Sequence, residues 1–332
     1  MAARTITAMM LSATILVSPT LAPAARAQAI VASPSTAQQE AAPRLRQRDF
    51  TDVTLRSREG LEYRLLVSVP RGPPPAGGFP VFYVLDGDGW FYTAVEMTRI
   101  REWGRLTPSI VVGIGYPSRA FFDPRRNYDF TPPGSADADF APQEQGGADR
   151  FLNFLVEVVK PWVRERHSID PNRQVLFGHS MGGLFVLHTM FTAPQSFNVY
   201  LAASPSIRFS NGMVMREASG FEVNPEHTAV RALITVGGLE SQPNPQQVDD
   251  YRRYFLANPS ATGGVSVEEA LRQTFPPAPP GFNKARELRR LAERLSRRGA
   301  HVVFTEFPGV EHTPAGVSAL NDGVAFALRP AN

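Results

Sequence analysis

The sequence predicts an α/β fold, a mostly parallel β-sheet with helices on both faces. Three observations carry this. Short, nearly continuous apolar runs recur along the chain, segments with a one-sided apolar stripe lie between several of them, and the two kinds alternate. Such runs belong to strands covered on both faces. Their alternation with helices implies βαβ units with right-handed crossovers. With 332 residues, 43% of them hydrophobic, the chain can bury a sizeable core, which excludes a disordered or fibrous protein. There is no internal repeat.

The elements follow in order. Residues 1–27 have the form of an export leader. Arg4 supplies the positive charge, "AMMLSATILV" the short apolar stretch, and "ARA" at Ala25–Ala27 the small residues before a cut. Ten apolar residues are too few to span a membrane. Residues 28–48, rich in Ala, Gln, Ser and Pro, read as a flexible lead-in. "DVTLRS" (Asp52–Ser57) and "LEYRLLVSV" (Leu61–Val69) alternate as a half-exposed edge hairpin should. Then come the apolar runs "PVFYVLD" (Pro80–Asp86), "SIVVGIG" (Ser109–Gly115), "QVLFG" (Gln174–Gly178), "VYLAAS" (Val199–Ser204), "ALITVGG" (Ala232–Gly238) and "HVVFTEF" (His301–Phe307).

Of the helical segments, Asp149–Arg166 puts Phe151, Leu152, Phe154, Leu155, Val158, Val159 and Trp162 on one stripe, with Pro161 expected to kink or divide it. Lys284–Arg298 turns Leu288, Leu291 and Leu295 inward and six arginines outward. That arginine face accounts for much of a net charge of +3 and a pI of about 9.4. It reads as solvated, since no nucleic-acid-binding signature accompanies it. The long stretches Gly115–Gly147 and Asn258–Asn283 read as loops at the rim of a site, on one domain covering residues 49–330. The chain has no cysteine, so disulfides, a cysteine nucleophile and a lipoprotein anchor are excluded.

The run "VLFGHSMGGLF" (Val175–Phe185) places Ser180 between glycines where a strand gives way to a helix. This is G-x-S-x-G in the context the motif requires. A very tight turn strains the serine backbone and lifts its hydroxyl above the sheet. Glycines at Gly178 and Gly182 are expected to remove Cβ atoms that would collide, and the free N–H groups of the following helix favour developing negative charge. The competing reading is a helix N-cap serine.

A serine hydroxyl needs a base to take its proton. Of six histidines, His179 lies inside the turn and is expected to point away from Ser180. His188 sits on the next helix, His167 and His227 lie in loops, and His301 begins a strand. His312 follows the last strand and a short Pro-Gly turn, where the base belongs. The chain order Ser, acid, His places an orienting carboxylate after "ALITVGG", where Glu240 stands. Asp249 and Asp250 look like surface residues, and Glu311 remains an alternative.

Two backbone amides should receive an oxyanion. One is that of Met181. The other comes from the loop "DGDG" (Asp86–Gly89), from Gly87 or Asp88, with Asp88 preferred. "DGDG" lacks the later glutamate of a calcium loop, and no metal is assigned.

Several segments together resemble the esterase D-like α/β hydrolases, in particular the branch of siderophore trilactone esterases (enterobactin and bacillibactin type). They are "VFYVLDGDGWF", "IVVGIGYP", "RRNYDFTPP", "GGADRFLNFLVEVVKPWV", "DPNRQVLFGHSMGGLFVLHTMFTAPQSFNVYLAASPSIRF", "VGGLE" and "FPGVEHTPA", and they cover most of the chain from about Asp49. The serine motif is shared by many hydrolases, whereas the combination of "YDFTPP" with "AASPSI" is far more specific to this branch.

The resemblance implies an α/β-hydrolase fold with an eight-stranded sheet and no large cap, serine esterase chemistry and no cofactor. It matches Arg126 to a basic residue that holds an anionic catecholate substrate, against a structural salt bridge. It also allows a Ser–His dyad in place of a triad. Tyr116, Phe121 and Phe122 are expected as pocket walls. The resulting expectation is a periplasmic or secreted enzyme acting on a small-molecule ester or lactone, with no nucleic-acid partner and no membrane span. The alternatives are an acetyl or feruloyl esterase acting on acylated carbohydrate, and a ligand-binding protein that kept the fold.

Overall fold

The computed structural model describes residues 50–103, 106–137, 140–222, 230–241, 245–262, 264–274 and 279–329. The segments read as leader (1–27) and lead-in (28–48), and His227, lie outside them. All eight expected strands form: β1 (Thr51–Arg56), β2 (Glu62–Ser68), β3 (Phe79–Leu85), β4 (Ile110–Gly115), β5 (Ile169–His179), β6 (Val199–Ala203), β7 (Arg231–Gly237) and β8 (His301–Phe307). They make one sheet in the order β1-β2-β4-β3-β5-β6-β7-β8. β2 runs antiparallel to both β1 and β4, and every other neighbour pair is parallel. This is the α/β-hydrolase architecture.

The hairpin differs from expectation in one respect. Of its two strands only β1 is an edge strand; β2 pairs on both sides, and Leu65, Leu66 and Val67 are all buried, whereas β8, expected among the covered strands, forms the other edge of the sheet and is half-exposed. The "LLV" run inside the alternating pattern is therefore a strand covered on both faces, as in the later strands.

The helices are α1 (Gly87–Trp103), α2 (Arg126–Asp129), α3 (Ala148–Phe154), α4 (Lys160–Arg166), α5 (Met181–Thr192), α6 (Phe209–Gly220), α7 (Pro245–Ala257), α8 (Val267–Thr274), α9 (Lys284–Arg297) and α10 (His312–Leu328). Two cores sandwich the sheet. One joins it to apolar side chains of α3 to α6 and α9. The other joins it to α1 and α10 through Trp90, Phe91, Ala94, Ala319, Leu320 and Val324.

The expected inward residues of α9, Leu288, Leu291 and Leu295, are buried. Each such side chain contributes about 1.5–3 kcal/mol relative to exposure. The apolar stripe at 149–166 is divided, but ahead of Pro161. A π-helical turn over Leu155–Val159 separates α3 from α4. The wider turn makes room for a proline ring that would strike the carbonyl four residues back, and for its missing N–H.

The long segments are less irregular than their composition implies. Gly115–Gly147 contains α2, and Asn258–Asn283 contains α8, which packs on α7 through Phe255, Ala270 and Leu271. Among the described residues, no helix is long and apolar enough to cross a membrane.

Candidate active site

Ser180 joins β5 to α5 with φ 60° and ψ −115°, a backbone conformation an L-residue adopts only under constraint. The constraint comes from both sides. The Ser180 N–H donates to the Ala203 carbonyl at 3.0 Å, and its own carbonyl accepts from Leu184 N–H at 3.0 Å and Ser206 N–H at 3.1 Å. The glycines act partly as expected. A Cβ at Gly178 would overlap the Gly182 backbone, so β5 and α5 approach as closely as they do only with glycine there. A Cβ at Gly182 would find ordinary contacts. The second tight position is Gly183, where it would sit 2.8 Å from the Ala203 carbonyl oxygen.

The imidazole that meets Ser180 comes from the other end of the chain. β8 ends at Phe307, a Pro-Gly turn follows, and His312 opens α10. Ser180 Oγ–H donates to His312 Nε2 at 2.9 Å, and His312 Nδ1–H donates to Glu240 Oε2 at 2.7 Å. Glu240, three residues past β7, is almost fully enclosed, at 3% side-chain exposure. Its Oε1 accepts from Gly237 N–H and Ser204 Oγ–H, both at 2.6 Å, and its Oε2 also accepts from Lys284 Nζ at 2.8 Å. Burial pushes this carboxyl up, but the Lys284 charge and the His312 N–H together hold it well below the usual carboxylate range. Glu240, not Glu311, Asp249 or Asp250, meets the imidazole.

Burial lowers the His312 ring below the ordinary histidine value; Glu240 opposes this, and the Lys284 and Arg126 charges reinforce it. The result is a neutral imidazole with its lone pair on the serine hydroxyl. That arrangement can take the proton from Ser180 and hold it while Glu240 stabilises the cation.

Met181 is the first residue of α5 and Asp88 the second of α1, positions where a backbone N–H has no acceptor within its own helix. β3 and β5 are parallel neighbours, so their following helices start side by side. "DGDG" is thus a helix start, not a loop. Asp86 takes φ 50°, and Gly87 presses on Gly113 where a Cβ would lie 2.7 Å from backbone atoms. The Asp88 carboxylate turns away, ion-pairing with Arg64 and accepting from Tyr116 N–H at 3.3 Å.

Two expected substrate contacts are placed differently. Tyr116, expected in the pocket wall, is 3% exposed, and its hydroxyl donates to Asp129 Oδ2 at 3.0 Å. Tyr63 donates to the other oxygen of the same carboxylate at 3.1 Å, and Arg125 lies over both rings. The side chain following β4 therefore turns under α2 and does not line the site. Arg126, weighed between substrate and salt bridge, makes the salt bridge. Its Nε and one terminal nitrogen donate to the two Asp86 oxygens at 2.7 and 2.9 Å, and its side chain is 10% exposed.

Phe121 and Phe122 stand on the surface, 49% and 41% exposed. Their rings meet edge to face at 4.6 Å, and Phe121 rests on Trp90. Trp90 in turn abuts His179 and Gly316, the fifth residue of α10, which ties these aromatic rings to the His312 end of the site.

Four contributors escaped the sequence reading. His179 does not turn idly away. Its ring lies 4.6 Å from that of His312, and its Nε2–H donates to the His312 carbonyl at 2.8 Å. Burial, with the repulsion it would meet from a protonated His312, pushes it down to about 3, so it stays neutral. Ser204, in the left-handed region at φ 47°, braces Glu240, and Ser206 braces the Ser180 carbonyl. The motif "AASPSI" held that signal, unassigned. Lys284 is the fourth; an N-terminal helix lysine has no feature in sequence that sets it apart.

Known proteins share this frame. The profile of the Esterase family matches residues 58–326. The chain is 30% identical over 284 residues to the ferri-bacillibactin esterase BesA of Bacillus subtilis, an alignment covering 82% of this chain and 86% of that one. It is 34% identical over 259 residues to the apo-salmochelin esterase of Escherichia coli O6:H1, covering 76% and 70%. Among solved structures, the siderophore hydrolase EstA from Aspergillus nidulans superposes with a TM-score of 0.68 at 31% identity, covering 84% and 94%. On the family match and on these relatives, the chain belongs to the esterase family and is an enzyme that hydrolyses esters.

Proposed function

We propose that the chain is an exported serine esterase that opens the ester or lactone bonds of a siderophore through an acyl-enzyme. The observation that carries the mechanism is the unbroken relay Glu240–His312–Ser180 at 2.7 and 2.9 Å. Ser180 Oγ attacks the carbonyl carbon as His312 Nε2 takes its proton. The tetrahedral oxyanion is received by the amides of Met181 and Asp88. Collapse expels the alcohol, which regains the proton from His312, and leaves the acyl group on Ser180. Water, deprotonated by the same ring, then releases the acid.

The substrate class is supported by relatives whose names specify siderophore esters, and by the exposed Phe121–Phe122 wall, on which flat aromatic groups can stack. Export is supported by the leader-like form of residues 1–27.

The test compares hydrolysis of a ferric catecholate trilactone with a panel of acetyl, feruloyl and simple aryl esters, for wild type and Ser180→Ala. The expected result is preference for the trilactone by wild type, with turnover lost and binding kept in the variant. Preference for acetyl or feruloyl esters would instead support a carbohydrate-acting enzyme. Binding without turnover of any ester in wild type would support a binding protein.

A further inference from the structure

Lys284 is the first residue of α9, capped by Asn283, whose side chain accepts from Arg286 N–H at 2.8 Å. Its stem passes inward, leaving the side chain 13% exposed, and its Nζ reaches Ser204 C=O at 2.9 Å and Glu240 Oε2 at 2.8 Å. That oxygen is the one His312 Nδ1–H uses. Glu240 thus holds two cation-capable groups on one atom, with Gly237 and Ser204 filling the other.

A carboxylate facing an imidazole alone stabilises the imidazolium strongly. Here the negative charge is already balanced by an ammonium, so forming the imidazolium leaves the site with net positive charge. We propose that Lys284 is a positioning residue that neutralises Glu240 in advance, so that His312 remains unprotonated, and able to accept the Ser180 proton, in more acidic solution than a lone carboxylate–histidine pair would allow.

The other groups bearing on the His312 ring supply less of this effect. Arg126 acts in the same sense but more weakly than Lys284 and is matched by Asp86, His179 is neutral, and Ser180 carries no charge. Glu311 precedes α10 and the ring in sequence, with no side-chain bond to the helix start, whereas Glu240 is the acid that bonds to the ring. Lys284 also orients the carboxylate, because with the ammonium on Ser204 C=O the Glu240 head cannot rotate away from the ring.

The inference rests on the proposed catalytic reading, and its test has a readout that does not. The His312 ring proton is followed by NMR against pH, assigned by its disappearance in His312→Gln. Lys284→Met should raise the midpoint by about one pKa unit, close to tenfold in unprotonated fraction on the acid side. Lys284→Arg should keep it near the wild-type value. The acid limb of kcat/KM should move to higher pH in the methionine variant alone. The direction follows because the neutral ring is the active form, so activity is lost as pH falls through its pKa.

If Lys284→Met does not fold, Lys284→Gln removes the charge and keeps a donor. A folded charge-removing variant whose His312 midpoint is unmoved overturns the proposal, even if its activity falls. Full activity in Ser180→Ala would overturn the serine mechanism instead, leaving the titration to decide the role of Lys284.

Discussion

Replacing Glu240 with glutamine tests the site most directly, because it exchanges one oxygen for nitrogen in a carboxylate that four groups depend on, two on each oxygen. Glu240 accepts from Gly237 N–H, Ser204 Oγ–H, Lys284 Nζ and His312 Nδ1–H, at 2.6 to 2.8 Å. A glutamine amide offers one accepting oxygen and an NH2 that only donates. Whichever way it turns, one pair of donors faces another donor. If the NH2 meets His312, the ring must present Nδ1 as acceptor, so Nε2 carries the proton and cannot take one from Ser180. A wrong tautomer of this kind lowers kcat by about 10⁴ in the best-studied serine triad, and a loss of about 10³–10⁴-fold is expected here.

The second effect is on stability. Lys284 loses its counter-charge inside the protein, and removing one partner of a buried ion pair costs about 3–5 kcal/mol. The pH dependence follows from the lowered folded pKa of Glu240. Its contribution is complete above the unfolded value of about 4.3, and is lost as pH falls through the lower folded value. Urea denaturation should therefore show wild type well above Glu240→Gln at neutral pH, with the gap closing in strong acid. Single-turnover kinetics on an aryl ester supply the rate. A variant within about threefold of wild-type kcat and of equal stability would refute the reasoning and leave a Ser–His dyad with no working acid.

Two further outcomes follow from the fold. Gly178→Ala puts a Cβ into the Gly182 backbone. Overpacking of a rigid position costs about 1–3 kcal/mol, and urea midpoints should show a loss at the upper end, with activity falling as the serine turn opens. His188 is held between Glu217, at 3.0 Å to each oxygen, and Asp149 at 3.0 Å, linking α5 to α6 and α3. Burial pushes this ring down, but the two carboxylates more than offset it and raise its pKa. Its stabilisation is therefore full below the unfolded value of about 6.5 and is lost as pH rises through the folded one. The stability gap between wild type and His188→Gln should be wide in mild acid and should narrow in base; a gap independent of pH would contradict the ion-pair reading.

Much of this molecule was legible in the one-dimensional pattern. The inner strands β3 to β7 appear where short apolar runs stand, because burying both faces of a strand demands such a run whatever surrounds it, and β1 appears where polar and apolar residues alternate. Ser180 was legible because its strain is local: a strand, a glycine, a serine and a helix within a few residues specify the turn. His312 and Glu240 were legible from chain order, since each follows a recognisable strand and parallel strands deliver their following loops to the same edge of the sheet. Arg126 and Tyr116 show where that reasoning stops. The resemblance points Arg126 at the substrate and the long segment after β4 suggests Tyr116 as a wall, yet Asp86 claims one and Asp129 the other.

What tertiary structure alone decided is which distant polar groups share an oxygen atom. Lys284 reaches Glu240 across 44 positions, and His179 reaches the His312 carbonyl across 133. Periodicity reports which side of an element is buried, because that depends on neighbours a few residues away. The depth at which a buried cation meets its acid depends on how α9 seats against the sheet, a sum of many packing contacts that no short window of sequence contains.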